Sequence, residues 1–157
     1  MRTATVKELK NELSHYSQKE LVDICLSLSK FKKENKELLT YLLFEAQNEA
    51  TFIEGIKEEV ELLFAQINTR SYYLIKKSIR KILRTIKKYI RYSKKKETEI
   101  ELLMHFCQQL NAFEPSIHKN RVLKNLYLKQ IEIIQKGILK LHEDLQYDYN
   151  LELEALI

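Results

Sequence analysis

The chain has 157 residues with two glycines and one proline, whereas average usage of these types is about 12%, so all-β and Rossmann-type folds are excluded. Gly55 and Gly137 stand alone, which excludes a glycine-rich phosphate-binding loop. The length suits one domain and a hydrophobic content of 45% can fill a core, so we expect a single all-α domain over residues 1–157, with a net charge of +5, rather than a disordered chain.

The first three predicted helices begin at capping residues. Thr5 with Glu8, and Ser17 with Glu20, match the capping box, in which two side chains satisfy the free N–H groups of a first helical turn. Asn35 is expected to cap a third helix. Apolar residues recur at steps of three and four along each segment, as an amphipathic helix requires.

Four further helices follow from the same periodicity. They are predicted over residues 53–67, 72–86, 100–110 and 123–145, with Pro115 before the long last helix. We expect about seven helices packed as antiparallel hairpins, in a helical bundle or a short α-solenoid. Both glycines fall inside these helices, where glycine costs about 1 kcal/mol relative to alanine, and this indicates close packing at each.

Cysteine usage and hydropathy indicate a cytoplasmic protein. Cys25 and Cys107 lie on apolar helix faces, which favours free, buried thiols in a reducing compartment. No apolar run approaches the roughly 18 residues of a transmembrane segment, and the N-terminus lacks the apolar core of a signal peptide.

The predicted fifth helix carries most of the positive charge. Between Arg70 and Lys96 there are twelve basic residues and no acidic one, against fifteen basic and twenty-two acidic residues elsewhere. At 100° per residue, apolar side chains fill an arc of about 120° and basic side chains fill the next arc of about 140°. Like charges at i and i+4 repel, so a partner is expected on this basic amphipathic helix, residues 71–96. The candidate contact residues are Lys76, Lys77, Arg80, Lys81, Arg84, Lys87, Lys88, Arg91, Lys94, Lys95 and Lys96.

Several partners would offset this charge. The leading interpretation is an acidic surface of another protein, contacted by a non-enzymatic binding or scaffold module. The alternative is nucleic acid, whose phosphates would neutralise the basic side chains. Because no base-reading motif is present, such binding would depend mainly on the nucleic-acid backbone. Four tyrosines border the segment and could stack on bases: Tyr72, Tyr73, Tyr89 and Tyr92.

Two further interpretations stay open. The basic side chains could pair within the molecule, with the acids of Glu45–Glu61 or His142–Ile157, and the helix would then be purely structural. A membrane surface is less favoured, because the apolar side lacks the Trp and Phe typical of interfacial helices.

Catalytic and metal-binding patterns are weak. The four histidines are spread over separate elements, and the single Glu-x-x-His, Glu12 with His15, lacks the second copy that a di-metal bundle site needs. His105 and Cys107 stand two residues apart, so their side chains diverge on a helix. We therefore expect no enzyme activity, no metal and no cofactor.

The N-terminal segment carries one resemblance to a known motif. Residues 6–13, Val-Lys-Glu-Leu-Lys-Asn-Glu-Leu, followed by Lys19-Glu-Leu-Val22, resemble the helix-turn-helix of the SAP DNA-binding motif, without the glycine-containing loop of that motif. The chain as a whole is similar to small uncharacterised all-helical proteins of bacteria, a resemblance that implies no activity.

Overall fold

The structure is a computed structural model that describes all 157 residues, and it contains helices and no β-strand. The all-α prediction is confirmed, with eight α-helices in place of about seven. A π-helical turn, Tyr41–Glu45, and a short 3-10 helix, Ile117–Lys119, accompany them. The α-helices are α1 (Val6–Leu13), α2 (Gln18–Phe31), α3 (Lys33–Thr40), α4 (Glu49–Ala65), α5 (Tyr72–Ser93), α6 (Lys96–Asn111), α7 (Arg121–Ile138) and α8 (Glu143–Glu154).

The chain divides into two compact units, Met1–Phe44 and Glu45–Ile157. The residues of the main hydrophobic core cluster lie in the second unit, between Ile53 and Leu156. In the first unit Tyr41 is buried, at 4% exposure, without belonging to this cluster. The expectation of one domain over residues 1–157 stays a prediction, which the number of thermal unfolding transitions would test.

Helices α1 and α2 begin at the two predicted capping boxes. The Glu8 N–H donates to Thr5 Oγ1 at 3.3 Å, and the Thr5 N–H donates back to Glu8 Oε2 at 2.6 Å. Ser17 and Glu20 form the same reciprocal pair, with both distances at 3.2 Å. These bonds satisfy two of the free N–H groups of each helix, which explains why each begins where it does.

The predicted cap at Asn35 is wrong, because α3 begins two residues earlier, at Lys33. Lys32 precedes the helix in an extended conformation and gives no side-chain hydrogen bond. The Asn35 side-chain amide instead donates to the Leu28 carbonyl oxygen in the last turn of α2, at 2.8 Å. A helix C-terminus leaves carbonyl groups without backbone partners, and Asn35 satisfies one of them.

Helix α6 is the central helix of the second unit. It packs against α4, α5 and α7. Its buried residues lie on more than one side, and Phe106 and Leu110 are completely buried. A helix that is apolar around most of its circumference is surrounded by others. Helix α5 packs on α4 and α6 through its apolar side, and its basic side lies at the protein surface.

The long last helix predicted over residues 123–145 is two helices, α7 and α8. His142 is the N-cap of α8, and its ring accepts a hydrogen bond from the Asp144 N–H. The Gln146 side chain donates to the Leu141 carbonyl oxygen at 2.8 Å. These polar contacts satisfy backbone groups at the break while the apolar spacing continues across it, so periodicity alone does not reveal the break.

The two glycines differ. A Cβ at Gly137 would lie 3.1 Å from Ile100 Cγ1, so the predicted close packing is confirmed where α7 approaches α6. A Cβ at Gly55 would meet nothing within 4 Å, and the packing role predicted there is wrong. Gly55 lies on the exposed side of α4, where any side chain would fit.

Candidate anion-binding surface on helix α5

Helix α5 is a regular helix of 22 residues, about 33 Å long at 1.5 Å per residue. The Ser71 hydroxyl caps it by accepting from the Leu74 N–H at 3.3 Å. It ends at Lys94, which adopts a left-handed conformation with φ of 59° and donates its N–H to the Ile90 carbonyl oxygen at 2.9 Å. The basic segment therefore forms a rigid rod with defined ends.

The apolar side of α5 is part of the hydrophobic core. Ile75, Ile79 and Ile86 are completely buried, and Ile82 and Leu83 are 3% and 8% exposed. Because this side packs against protein, the helix cannot turn it toward a lipid surface without leaving the core.

The structure brings most of the candidate residues to the opposite side of α5. Lys76, at one margin of this side, and Lys88, between Lys77 and Lys81 near the other margin, are half-buried. The exposed residues of this side, which we call the basic row, are Lys77, Arg80, Lys81, Arg84, Lys87 and Arg91. At 1.5 Å per residue, the basic row extends about 21 Å along the helix.

The basic row has no ion-pair partner within the protein. None of its six residues has a carboxylate oxygen within 4.0 Å, and the same holds for Lys76 and Lys94. Lys88 differs, because its ammonium lies 5.2 Å from the centroid of the Tyr89 ring and it has further interactions. Repulsion along the row is therefore not offset by direct ion pairs.

The last two candidate residues are paired within the protein. Lys95 is the residue before α6, and its Nζ lies 3.3 Å from Glu49 Oε2 on α4. Lys96, the first residue of α6, forms an ion pair with Glu99. Charge pairing with the Glu45–Glu61 segment thus occurs at Lys95, at the junction of α5 and α6.

The four bordering tyrosines separate into three anchored side chains and one free one. The Tyr72 hydroxyl donates to the Ser116 carbonyl oxygen at 3.1 Å, and the Tyr89 hydroxyl donates to Glu59 Oε2 at 2.9 Å. Tyr92 is 9% exposed and packs edge-on against the Tyr89 ring. Tyr73 is 71% exposed and is the one large hydrophobic residue of α5 on the protein surface.

Three of the four histidines, His105, His118 and His142, lie beside polar groups of their own unit. His118 Nε2 lies 2.9 Å from Asn111 Oδ1, and His142 caps α8. His105 Nε2 is buried and lies 3.3 Å from Glu61 Oε1 without hydrogen-bond geometry. Burial of the ring lowers the pKa of His105, with the Glu61 charge acting in the opposite direction. No group of three or more His, Cys, Asp or Glu side chains is arranged to hold a metal ion.

The two cysteines are free thiols with different environments. Cys107 is completely buried, as expected, and burial raises the pKa of its thiol to about 12. Cys25 is exposed, so the burial expected for it is wrong. Its apolar neighbours on α2 are half-buried or exposed, and no residue of α2 belongs to the main hydrophobic core cluster.

A polar cavity of about 300 Å³ lies among α4, α6 and α8. The Tyr149 hydroxyl lies 2.9 Å from Glu97 Oε1 and 3.0 Å from Glu101 Oε1, two carboxylates one helical turn apart. Burial and the neighbouring carboxylates raise the pKa of Tyr149. The hydroxyl therefore stays protonated and donates its hydrogen bond to this pair of carboxylates. The arrangement ties α8 to α6.

Comparisons with protein-family models, with curated proteins and with solved structures find no match for this chain. None of its helices is both long and apolar enough to cross a bilayer. The resemblance of residues 6–22 to a SAP motif stays a prediction, although α1 and α2 do cover this segment.

Proposed function

We propose that this protein is a non-enzymatic helical module that binds nucleic acid through phosphate contacts made by the basic row of α5. The observation that carries the proposal is the exposed row of six cations without internal carboxylate partners, held on a rod whose other side is fixed in the core. A regular series of phosphates would neutralise the row and remove its self-repulsion.

The composition of the exposed side favours phosphates over an acidic protein surface. The centre of a protein–protein interface is apolar and poor in lysine. The exposed side of α5 instead consists of lysines and arginines, and Tyr73 is its one large hydrophobic residue. A surface that is basic, polar and nearly free of apolar contacts is typical of binding to a nucleic-acid backbone.

The chemistry of the row also favours contacts with phosphates rather than with bases. Helix α5 contains no Asn, Gln, Asp or Glu, the residue types that read adenine or cytosine edges. Arginine and lysine hold phosphate oxygens, and arginine does so through a planar fork. We therefore expect binding that depends strongly on salt and weakly on sequence.

The test is binding of labelled oligonucleotides at several salt concentrations. We expect the logarithm of the affinity to fall linearly with the logarithm of salt concentration. The triple substitution Arg80→Glu, Arg84→Glu and Arg91→Glu should weaken binding and flatten that slope by about two to three units, since each phosphate contact contributes about 0.7 to 0.9.

The matched control changes net charge equally at another surface. The control variant carries three substitutions at exposed basic residues on and after α7, namely Arg121→Glu, Lys124→Glu and Lys140→Glu. We expect the salt dependence of its affinity to stay near that of the unmodified protein. Equal salt-dependent binding by the α5 triple variant and the unmodified protein would overturn the proposal. Binding of polyglutamate, with no binding of oligonucleotides, would instead support the acidic-protein interpretation.

A further inference from the structure

We infer that Tyr73 stacks on an unpaired base, so that this protein prefers single-stranded over double-stranded nucleic acid. The inference rests on the proposed function, because it assumes that the basic row holds the phosphates of the same strand. It adds the class of nucleic acid that the surface selects.

Tyr73 stands in line with the basic row. At 100° per residue it lies at the same angle around α5 as Arg91, about five turns away, and within about 20° of Arg80 and Arg84. The ring is therefore near the centre of the basic side rather than at its margin. Tyr73 and Arg91 mark the two ends of a continuous surface about 27 Å long.

The Tyr73 side chain also lacks the ties that hold its neighbours. Tyr72 and Tyr89 donate hydrogen bonds through their hydroxyl groups, and Tyr92 is buried. Tyr73 forms no hydrogen bond and no contact with another aromatic ring, and it is 71% exposed. Most of the surface of the Tyr73 side chain is consequently available to a ligand.

An aromatic ring beside a row of cations is the arrangement by which proteins hold single strands. The cations follow the backbone, while the ring stacks on a base that is not already stacked within a duplex. A duplex would satisfy the basic row equally well but would leave Tyr73 without a base to contact. The ring should therefore contribute affinity to single strands alone.

The experiment compares an unstructured single-stranded oligonucleotide with the duplex of the same sequence, at one salt concentration. Tyr73→Ala should weaken single-strand binding about fivefold or more, the loss expected when one stacked base is released. Duplex binding should change less than twofold, since no stacking is lost there. Tyr73→Phe keeps the ring and should retain single-strand binding.

Tyr147→Ala is the matched control, because Tyr147 is a tyrosine of similar exposure, 67%, on α8. It should leave both affinities unchanged. Unchanged single-strand binding by Tyr73→Ala, with oligonucleotide binding still dependent on Arg80, Arg84 and Arg91, would overturn the stacking inference and leave the proposed function standing. Absence of oligonucleotide binding by the unmodified protein would overturn both. Circular dichroism melting of each variant shows that the fold is kept.

Discussion

The Glu49 carboxylate, at the start of α4, accepts a hydrogen bond from the Ser93 hydroxyl, at the end of α5. The same oxygen accepts from the Thr98 hydroxyl at 2.7 Å, and the second oxygen lies 3.3 Å from Lys95 Nζ. One carboxylate thus joins three helices at the place where the chain turns from α5 into α6. It fixes the end of the rod that carries the basic row.

We expect Glu49→Ala to destabilise the protein by about 2 kcal/mol or more, because the Thr98 hydroxyl, 1% exposed, would lose its acceptor. Glu49→Gln keeps one acceptor oxygen and should cost less. Urea unfolding measures both changes. Glu58→Ala, an exposed glutamate on the same helix, serves as the control and should change stability by less than about 0.5 kcal/mol. Equal effects of Glu49→Ala and Glu58→Ala would contradict the assigned role.

Lys94 adopts the left-handed conformation in which helices commonly place glycine. Because a side chain is strained there, Lys94→Gly should stabilise the protein by up to about 1 kcal/mol. Lys94→Ala removes the same charge but keeps the Cβ, so it should not reproduce the gain. The comparison of the two variants in urea unfolding separates backbone strain from charge, and identical stability of both would exclude strain as the cause.

The two glycines should respond in opposite ways to alanine. Gly55→Ala adds a methyl group to open space within α4 and should stabilise the protein by about 0.5 to 1 kcal/mol. Gly137→Ala places its Cβ 3.1 Å from the Ile100 side chain, which is itself 1% exposed, and should destabilise by about 1 kcal/mol or more. Thermal melting of both variants tests this, and a gain in stability at Gly137 would show that the Ile100 side chain shifts readily to accept the added methyl group.

His105 should make stability depend on pH. Burial lowers its pKa in the folded protein, so the unfolded chain binds more protons between the folded value and the ordinary value of 6.5. The free energy of unfolding is therefore unaffected by His105 protonation above about pH 6.5, where the ring is neutral in both states. It decreases as pH falls from there through the folded pKa of His105. His105→Gln should reduce this loss in urea unfolding series across that range. His15→Gln, at an exposed histidine, should not reduce it.

The spacing of apolar residues predicts the helices of the second unit, because burying one side of a helix requires apolar residues at regular steps. The basic side of α5 follows from Ile75, Ile79, Ile82 and Ile86, whose spacing fixes the face turned inward and hence the face turned outward. The same geometry places Tyr73 among the arginines, so its exposure could have been derived from its angle around the helix. Its position in the sequence alone groups it with three tyrosines that the fold anchors.

Contacts between helices could not be derived in this way. The hydrogen bonds from the Ser93 hydroxyl to Glu49 and from the Tyr72 hydroxyl to the Ser116 carbonyl oxygen join residues 44 positions apart, and no local pattern indicates either. At the break between α7 and α8, the side chains of His142 and Gln146 bond to backbone groups. Their positions in the sequence would also suit the polar side of a continuous helix, so the pattern does not reveal the break. The burial expected for Cys25 would need a core that the first unit does not form.

Repulsion along the basic row of α5 should also affect folding. Unfolding spreads these charges apart, so their mutual repulsion lowers the melting temperature in dilute buffer. Added salt should therefore raise the melting temperature by screening, and a bound polyanion should raise it further as its concentration increases. Under the proposed function, the melting temperature of this protein reports ligand binding directly, and a thermal-shift screen can rank polyanions of different backbone chemistry by the stability that each one adds.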